Sequence, residues 1–581
     1  MIAVTPDTGH IRVASRAHSS RALVHPRALR ARAAEARAQG ALDDAADLLL
    51  RASSLAPADA GAHLELGLVL EAQGRVGDAA VVIERALRAD PANILLRHHL
   101  GRVLFLAGRV DEAAALLNAL VHDMPLDAGA RRWLGRALLH RGEVGPAARM
   151  LRTAVRLSGE DGDTVADLIE AQIAAGILRE ARIWVDRLGA RRAGDPRVAL
   201  LAGRLALAEE DPEAAARAFR LASRAPSLLA AARNGFAEVA RRRGDTAGAT
   251  AALRGAVRDG TLDAVGAATL ARAAAADGAG AAAVLPVVER LLAAPGLPAV
   301  EAADLAVAYG DVLDTLGQPA RAVSAWLAGH RRLPARFDAL RFAAEMDAVQ
   351  ATYGAAHFAS LAPAARADGP IFVVGLPRSG VGLVGRLLSW HPQLTPAPWA
   401  DVGAAVERVP LAAGRTYPEC MGQLAGPARQ QLAARVLGQG GLPGPVPVVA
   451  RVDQIAHLGL IATLFPNARV VVVERDAADL AVSWVRAPLS GGALPFAGDP
   501  YDMAAYRDRM AELMAHWERV LPLSLHRVSY EAVTADPRAA LGQLFAALGL
   551  DDAQAALPAE GALHAPARHG ARYARWLLPE G

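Results

Sequence analysis

"GPIFVVGLPRSGVGLVGRLLSWHPQL", residues 369–394, reads as a buried strand, a glycine-bearing turn and then a helix. A continuous β-branched run such as "IFVV" suits a strand covered on both faces, and helical spacing resumes only after Gly380. A strand, turn and helix in that order is how a fold presents backbone N–H groups to an anion. Gly375 and Gly380 have the GxxxxG spacing of a nucleoside-triphosphate loop, yet Val381 and Gly382 stand where such a loop carries Lys and then Ser or Thr. That disfavours a magnesium-dependent kinase or NTPase, because the hydroxyl that would hold the metal is missing.

Three further apolar stretches share this character: "GPVPVVARV" (444–452), "ARVVVVERD" (468–476) and "LHRVSYEAV" (525–533). They alternate with helical patterns such as "AAYRDRMAELMAHWERVL" (504–521), which predicts a parallel sheet with helices on both faces. Ligands of such sheets bind beyond the carboxyl ends of the strands, so the turn after "PIFVVG" is the place to look.

A different order governs the first 340 residues. Gly40, Gly74, Gly108, Gly142 and Gly176 are each 34 residues apart; position 210 is Glu210, after which Gly244 and Gly278 resume the phase and Gly317 follows one five-residue insertion later. Five residues after each of these positions stands an alanine, from Ala45 to Ala322, and Pro57, Pro91 and Pro125 close the first units. Small residues let two helices approach, the glycine ends the first and the proline stops the second, so each unit is a helix pair that needs neighbours to cover its apolar face. The spacing, with "HLELGLVLEAQGR" in one unit, resembles the tetratricopeptide repeat. That resemblance implies a solenoid of about nine units whose groove binds a protein or peptide.

With 581 residues, the chain is too long for one core. Its basic residues are all arginine, so a missing lysine says little about lost function. A net charge of +3 over this length implies no nucleic-acid surface, and no uncharged apolar run is long enough to span a membrane. The single cysteine, Cys420, excludes an intramolecular disulfide and a cysteine-based zinc site, and suits a reducing, cytoplasmic setting. No metal site is expected.

Taken in order, "PIFVVGLPRSG", "LLSWHPQL", "HLGLIATLFPNARVVVVERDAADLAVSW", "PFAGDPYDMAAYRDRMAELMAHWERVLP" and "VSYEAVTADPRAALGQLFAALGL" resemble the bacterial sulfotransferases that carry amino-terminal tetratricopeptide repeats, relatives of tyrosylprotein sulfotransferase. The resemblance runs from about Gly369 to Leu550. It implies a fold of class α + α/β, an all-α tetratricopeptide solenoid followed by a P-loop-like α/β sulfotransferase domain with a parallel sheet. It also implies sulfuryl transfer, without a metal, from 3′-phosphoadenosine 5′-phosphosulfate (PAPS) to a hydroxyl acceptor. The expected divisions are an amino-terminal segment at 1–28, the solenoid at 29–340, a linker at 341–368 and the sulfotransferase-like domain at 369–581.

Carried over residue by residue, the resemblance places the donor's 5′ side on Arg378, Ser379, Gly380, Val381 and Gly382, the last two replacing the family's threonines. Arg475 and Ser483, eight residues apart in "ERDAADLAVS", and Tyr530 in "VSYEAV" correspond to the group that grips the 3′-phosphate. The alternative for Arg475 is a solvated pair with Asp476 or Asp479. The family's catalytic glutamate falls on Trp399, with Asp401 as the nearest carboxylate or else an ordinary helix cap. Its catalytic lysine falls on Ala450 or, with one residue deleted, on Arg451, which keeps the charge but cannot act as an acid. Arg568, Arg572 and Arg575 stand in a shortened tail, as contacts to phosphate or merely to solvent. The second functional class compatible with these substitutions is a non-catalytic repeat scaffold with a degenerate, nucleotide-binding or purely structural sulfotransferase domain.

Overall fold

The computed structural model describes residues 25–579 except 279, 295, 334–335, 361–368, 398–399, 401, 404–416, 422–425, 438–444, 488–493 and 552–569. The chain divides into two units, residues 1–139 with 146–168, and residues 140–145 with 169–581.

The first unit is built from antiparallel helix pairs, beginning with Pro26–Ala38 and Leu42–Leu55. Gly40, Gly74 and Gly108 adopt φ of 77°, 76° and 79°, the left-handed conformation that ends a helix without a β-carbon clash. The following residue closes back on the helix: Ala41 N–H donates to Ala36 O at 2.9 Å. Between the helices of a pair the contact is tight, since a β-carbon on Gly101 would lie 2.5 Å from Leu117 Cδ2. The repeat alanines Ala45, Ala79, Ala113 and Ala147 have no exposed surface.

The second unit continues the same pattern to the helices Ala299–Thr315 and Pro319–Arg331, which complete nine helix pairs among the described residues. One alanine departs from the pattern. Ala283 is exposed, because Gly278 and Gly280 are both left-handed and shift the start of the next helix, so that Ala281 takes the buried place.

The α/β part of this unit has five parallel strands, β1 (Ile371–Gly375), β2 (Leu394–Pro396), β3 (Val446–Ala450), β4 (Arg469–Glu474) and β5 (Ser524–Ser529), in the order β2-β3-β1-β4-β5. Alternate residues feed two cores. Phe372 and Val374 pack with Val470, Val472 and Trp517, whereas Ile371 and Val373 pack with Val471, Val473 and Phe545. The strand order turns around at β1, so the loop leaving β1 sits at the crevice where such sheets bind ligands.

The expected linker at 341–368 is corrected over most of its length. Ala339–Thr352 and Ala355–Ala359 are helices, and Met346, Val349, Tyr353 and Phe358 belong to the same core as Phe372 and Trp517. His516 Nε2 donates to Tyr353 O at 3.1 Å, and a β-carbon on Gly459 would lie 2.4 Å from Tyr353 Cγ. Apolar residues at positions 346, 349 and 353 follow helical spacing, but the surrounding alanines, prolines and glycines mask it.

The last repeats and the α/β part share one apolar core. Val323, Trp326 and Leu327 pack with Leu480, Trp484, Phe496 and Tyr573. Trp326 is fully buried and donates from Nε1 to Asp311 Oδ1 at 3.2 Å, with the Tyr573 ring 5.5 Å away.

His330 lies at this junction, 4% exposed, with Nε2 3.1 Å from Val485 O. A carbonyl only accepts, so Nε2 carries the proton, and Nδ1 is buried without a hydrogen-bond partner among the described residues. Burial holds the imidazole below its usual pKa, against the pull of the Val485 and Trp484 backbone. The unfolded chain therefore binds this proton more readily than the folded one near pH 6.5. Stability from His330 is full above that pH and is lost as pH falls through the lower folded value. Thermal unfolding at pH 7.5 and pH 5 should show a larger fall for the wild type than for His330→Gln; equal falls would exclude His330 as the source.

Candidate functional site

The turn after β1 is shaped by two unusual backbone positions. Gly380 caps the helix Val381–Leu388 at φ 107° with no side-chain cap, and Arg378 takes φ 68°, uncommon for a residue with a β-carbon. A β-carbon on Gly375 would lie 2.4 Å from Ser379 Oγ and 2.8 Å from Val473 O, so only glycine fits there. One on Gly380 would lie 2.3 Å from Tyr530 Cδ2. The first N–H groups of the helix have no acceptor within it, and its amino end carries partial positive charge.

Four of the expected residues meet at this turn. Arg475, just beyond β4, donates from Nη1 to Arg378 O at 2.7 Å and lies with Cζ 4.4 Å from the Tyr530 ring centroid. Arg378 Nε donates to Ser483 Oγ at 3.2 Å. Ser483 lies two turns into the helix Ala477–Val485, whose Trp484 donates from Nε1 to Pro377 O at 2.7 Å and so pins the other side of the turn. Among the described residues neither Arg378 nor Arg475 has a carboxylate within 4.0 Å, and Asp476 caps its own helix through Ala478 N and Asp479 N. The solvated pairing of Arg475 with Asp476 or Asp479 is therefore not formed.

Among the described residues, the hydrogen bonds and ring contact of the two guanidiniums are to neutral groups. Arg378 faces a cavity whose protein walls, together with the neighbouring Arg475, hold its pKa below the usual arginine range, with burial the larger cause. Ser379 Oγ is buried with no hydrogen-bond partner among the described residues, as is Arg475 Nε. Unpaired cations, an orphan hydroxyl and a helix amino terminus together fit an anion better than any neutral ligand.

The cavity measures about 1360 Å³. One wall holds Arg378, Arg475, Asp479 and Ser483, and the other belongs to the solenoid, including Glu210, Arg272 and Asp311. Ion pairs hold the walls in place. Arg486 Nε lies 2.9 Å from Asp311 Oδ1, Tyr573 donates to Asp314, and Arg572 Nη1 lies 3.4 Å from Asp314 Oδ1. Arg572 and Arg575, read from the sequence as phosphate or solvent contacts, thus face Asp314 and the Trp576 ring, the latter with Cζ 3.9 Å from its centroid.

Residues 370–554 match the sulfotransferase family. The sulfotransferase-family domain stands behind tetratricopeptide repeats, whose models match residues 26–94, 70–134 and 138–205. An "Uncharacterized protein" of Aquifex aeolicus (strain VF5) is 29% identical over 192 residues, which cover 30% of this chain and 25% of that protein. The chain thus spans about a quarter of the curated relative it matches. Among solved structures, pilF of Pseudomonas aeruginosa shares 23% identity with a TM-score of 0.30, covering 34% of this chain and 90% of its own. MamA of Desulfovibrio magneticus RS-1 shares 20% identity with a TM-score of 0.28, covering 29% and 97%. YrrB, a tetratricopeptide-repeat protein with an unusual peptide-binding site, shares 19% with a TM-score of 0.27, covering 32% and 96%.

Other expected site residues lie apart from the turn after β1. Arg451 follows β3, its N–H donating to Val373 O at 3.2 Å, and it is not part of the cavity wall. Asp401, Trp399 and Arg568 lie outside the described residues. His391 is fully buried, with Nε2 3.0 Å from Asp551 O, a packing role. Among the described residues no group of three metal-ligating side chains occurs, and no helix is long and apolar enough to cross a membrane.

Proposed function

We propose that the carboxy-terminal domain binds PAPS and transfers its sulfuryl group to a hydroxyl on a protein or peptide held by the repeats, in the manner of tyrosylprotein sulfotransferase relatives but with an altered site. The observation that carries this reading is the convergence of Arg378, Arg475, Ser483 and Tyr530 on one turn, with two cations that have no carboxylate within 4.0 Å among the described residues. PAPS would supply an activated sulfuryl group attached to a phosphate. Arg475, Ser483 and Tyr530 hold its 3′-phosphate, where a guanidinium makes paired hydrogen bonds. The N–H groups of Gly380, Val381 and Gly382 hold the 5′ side, with Ser379 Oγ as a further donor. Arg378 steadies the charge that develops on the leaving oxygen. Arg451 adds positive potential one strand away. The solenoid wall limits which acceptors reach the turn. A cytoplasmic location fits the lone thiol.

A second reading, a nucleotide-sensing or structural domain on a repeat scaffold, is favoured by Val381 and Gly382, whose side chains offer no hydroxyl at the turn. Two assays separate the readings: calorimetry with adenosine 3′,5′-bisphosphate, and transfer of labelled sulfate from PAPS to a peptide library. Binding with transfer supports the enzyme. Binding alone supports the sensor, and no binding rejects every role that needs the nucleotide.

A further inference from the structure

Position 210 breaks the solenoid's own rule. At the eight other equivalent positions a glycine takes the left-handed turn, whereas Glu210 takes it with φ 61° and carries a β-carbon into a conformation that disfavours one. A strained backbone at one unit of a regular array points toward what the side chain does there. Glu210 lines the same cavity as Arg378, Arg475 and Ser483. Its Oε2 lies 3.4 Å from Arg386 Nη1, in the helix that follows the anion turn, and both side chains are well exposed, at 75% and 67%. Such an exposed pair contributes little to stability, so the pair alone does not account for the strain.

Arg386 and Gly382 are four residues apart on one helix and share a face. Helical side chains lean toward the amino terminus, so Arg386 leans in the direction of Gly382. A β-carbon on Gly382 would meet nothing within 4 Å, so the space above it is open. Glu210 thus lines the cavity that Arg378 and Arg475 also line, and it pairs with the helix whose first turn would hold the proposed 5′ anion. Several other carboxylates of the wall are engaged elsewhere: Asp304 with Arg272, Asp311 with Arg486, Glu238 with Arg241, Asp263 with Asn234 and Gly266 N–H, and Asp479 with Gly570 N–H.

We propose that Glu210, carried by the solenoid, is the general base that takes the proton from the acceptor hydroxyl. This rests on the sulfuryl-transfer reading above. The acceptor O–H bond breaks; its proton goes to the Glu210 carboxylate and its electron pair forms the new O–S bond. The bond from sulfur to the bridging phosphate oxygen breaks, that oxygen keeps the pair, and adenosine 3′,5′-bisphosphate leaves. Arg386 keeps the carboxylate turned toward the turn, and the repeats thereby supply chemistry as well as acceptor selection.

The test uses the 581-residue chain with Glu210→Gln and Glu210→Gly, labelled PAPS and a peptide library containing tyrosine and serine. Both variants should transfer at least about 100-fold more slowly, since a positioned base contributes at least that much. Their affinity for adenosine 3′,5′-bisphosphate, measured by calorimetry, should stay within about threefold of the wild type, because no proposed nucleotide contact is removed. Glu210→Gly should also raise the unfolding temperature by about 2 °C, by relieving the left-handed strain, and added sodium formate should restore part of its transfer. Wild-type rates in the variants would overturn the assignment, as would joint loss of binding and transfer, failure of formate to rescue, or an unfolding temperature lowered in Glu210→Gly. Bisphosphate binding by a wild type that transfers to no peptide would overturn Glu210 as a base and leave donor binding standing; absence of bisphosphate binding would remove both.

Discussion

Trp484→Ala should lower stability by about 3–5 kcal/mol, the range for emptying a buried aromatic site, and should weaken bisphosphate binding with it. The indole is 2% exposed and packs against Phe496, its ring centroid 5.0 Å away, within the core that the last repeats share with the α/β part. Its Nε1 is also the donor that holds Pro377 O at 2.7 Å. One substitution therefore opens a cavity beneath the solenoid junction and frees one side of the anion turn. Trp484→Phe separates the two effects: most of the packing survives while the bond to Pro377 is lost. Denaturant unfolding should show most of the stability recovered in Trp484→Phe, with affinity still reduced. Full recovery of both would mean that the bond to Pro377 does not shape the turn.

Arg475→Ala should reduce affinity for adenosine 3′,5′-bisphosphate by about 100-fold or more, since each hydrogen bond to a charged group contributes about 1.5–3 kcal/mol and a guanidinium offers a phosphate two. The fold should tolerate the change, because Arg475 is half-buried and has no ion-pair partner to strand among the described residues. Arg475→Lys should recover only part of the affinity, as an ammonium lacks the planar fork and the stacking over Tyr530. Calorimetry reads both variants. An Arg475→Ala protein that binds like the wild type would remove Arg475 from the nucleotide site.

Local pattern carried much of this architecture. The 34-residue glycine phase appears in the structure as left-handed turns, and the four β-branched runs appear as β1, β3, β4 and β5. Strand β2 escaped notice because it has three residues and ends on a proline. The meeting of Arg378, Arg475 and Tyr530 was legible because each lies just beyond the carboxyl end of a strand that a parallel sheet brings to one edge, and Ser483 follows in the helix after β4. The solenoid wall of the cavity was not. Nothing local to Asp311, Asp314 or Trp326 signals that Arg486 and Tyr573 will dock on them, because those pairings depend on how a helical array meets a sheet far along the chain. Glu210 was visible as a gap in the glycine phase, yet only its place opposite Arg386 shows that the exception faces the anion turn.

The account depends on two anion pockets, one at each end of an adenosine diester, made by the turn after β1 and the residues beyond β4. A crystal structure with adenosine 3′,5′-bisphosphate tests this most directly. The account places the 3′-phosphate at about 3 Å from both Arg475 and Ser483, and the 5′-phosphate at about 3 Å from the N–H groups of residues 380–382. A nucleotide bound elsewhere, or bound with the 3′-phosphate away from Arg475, would contradict it.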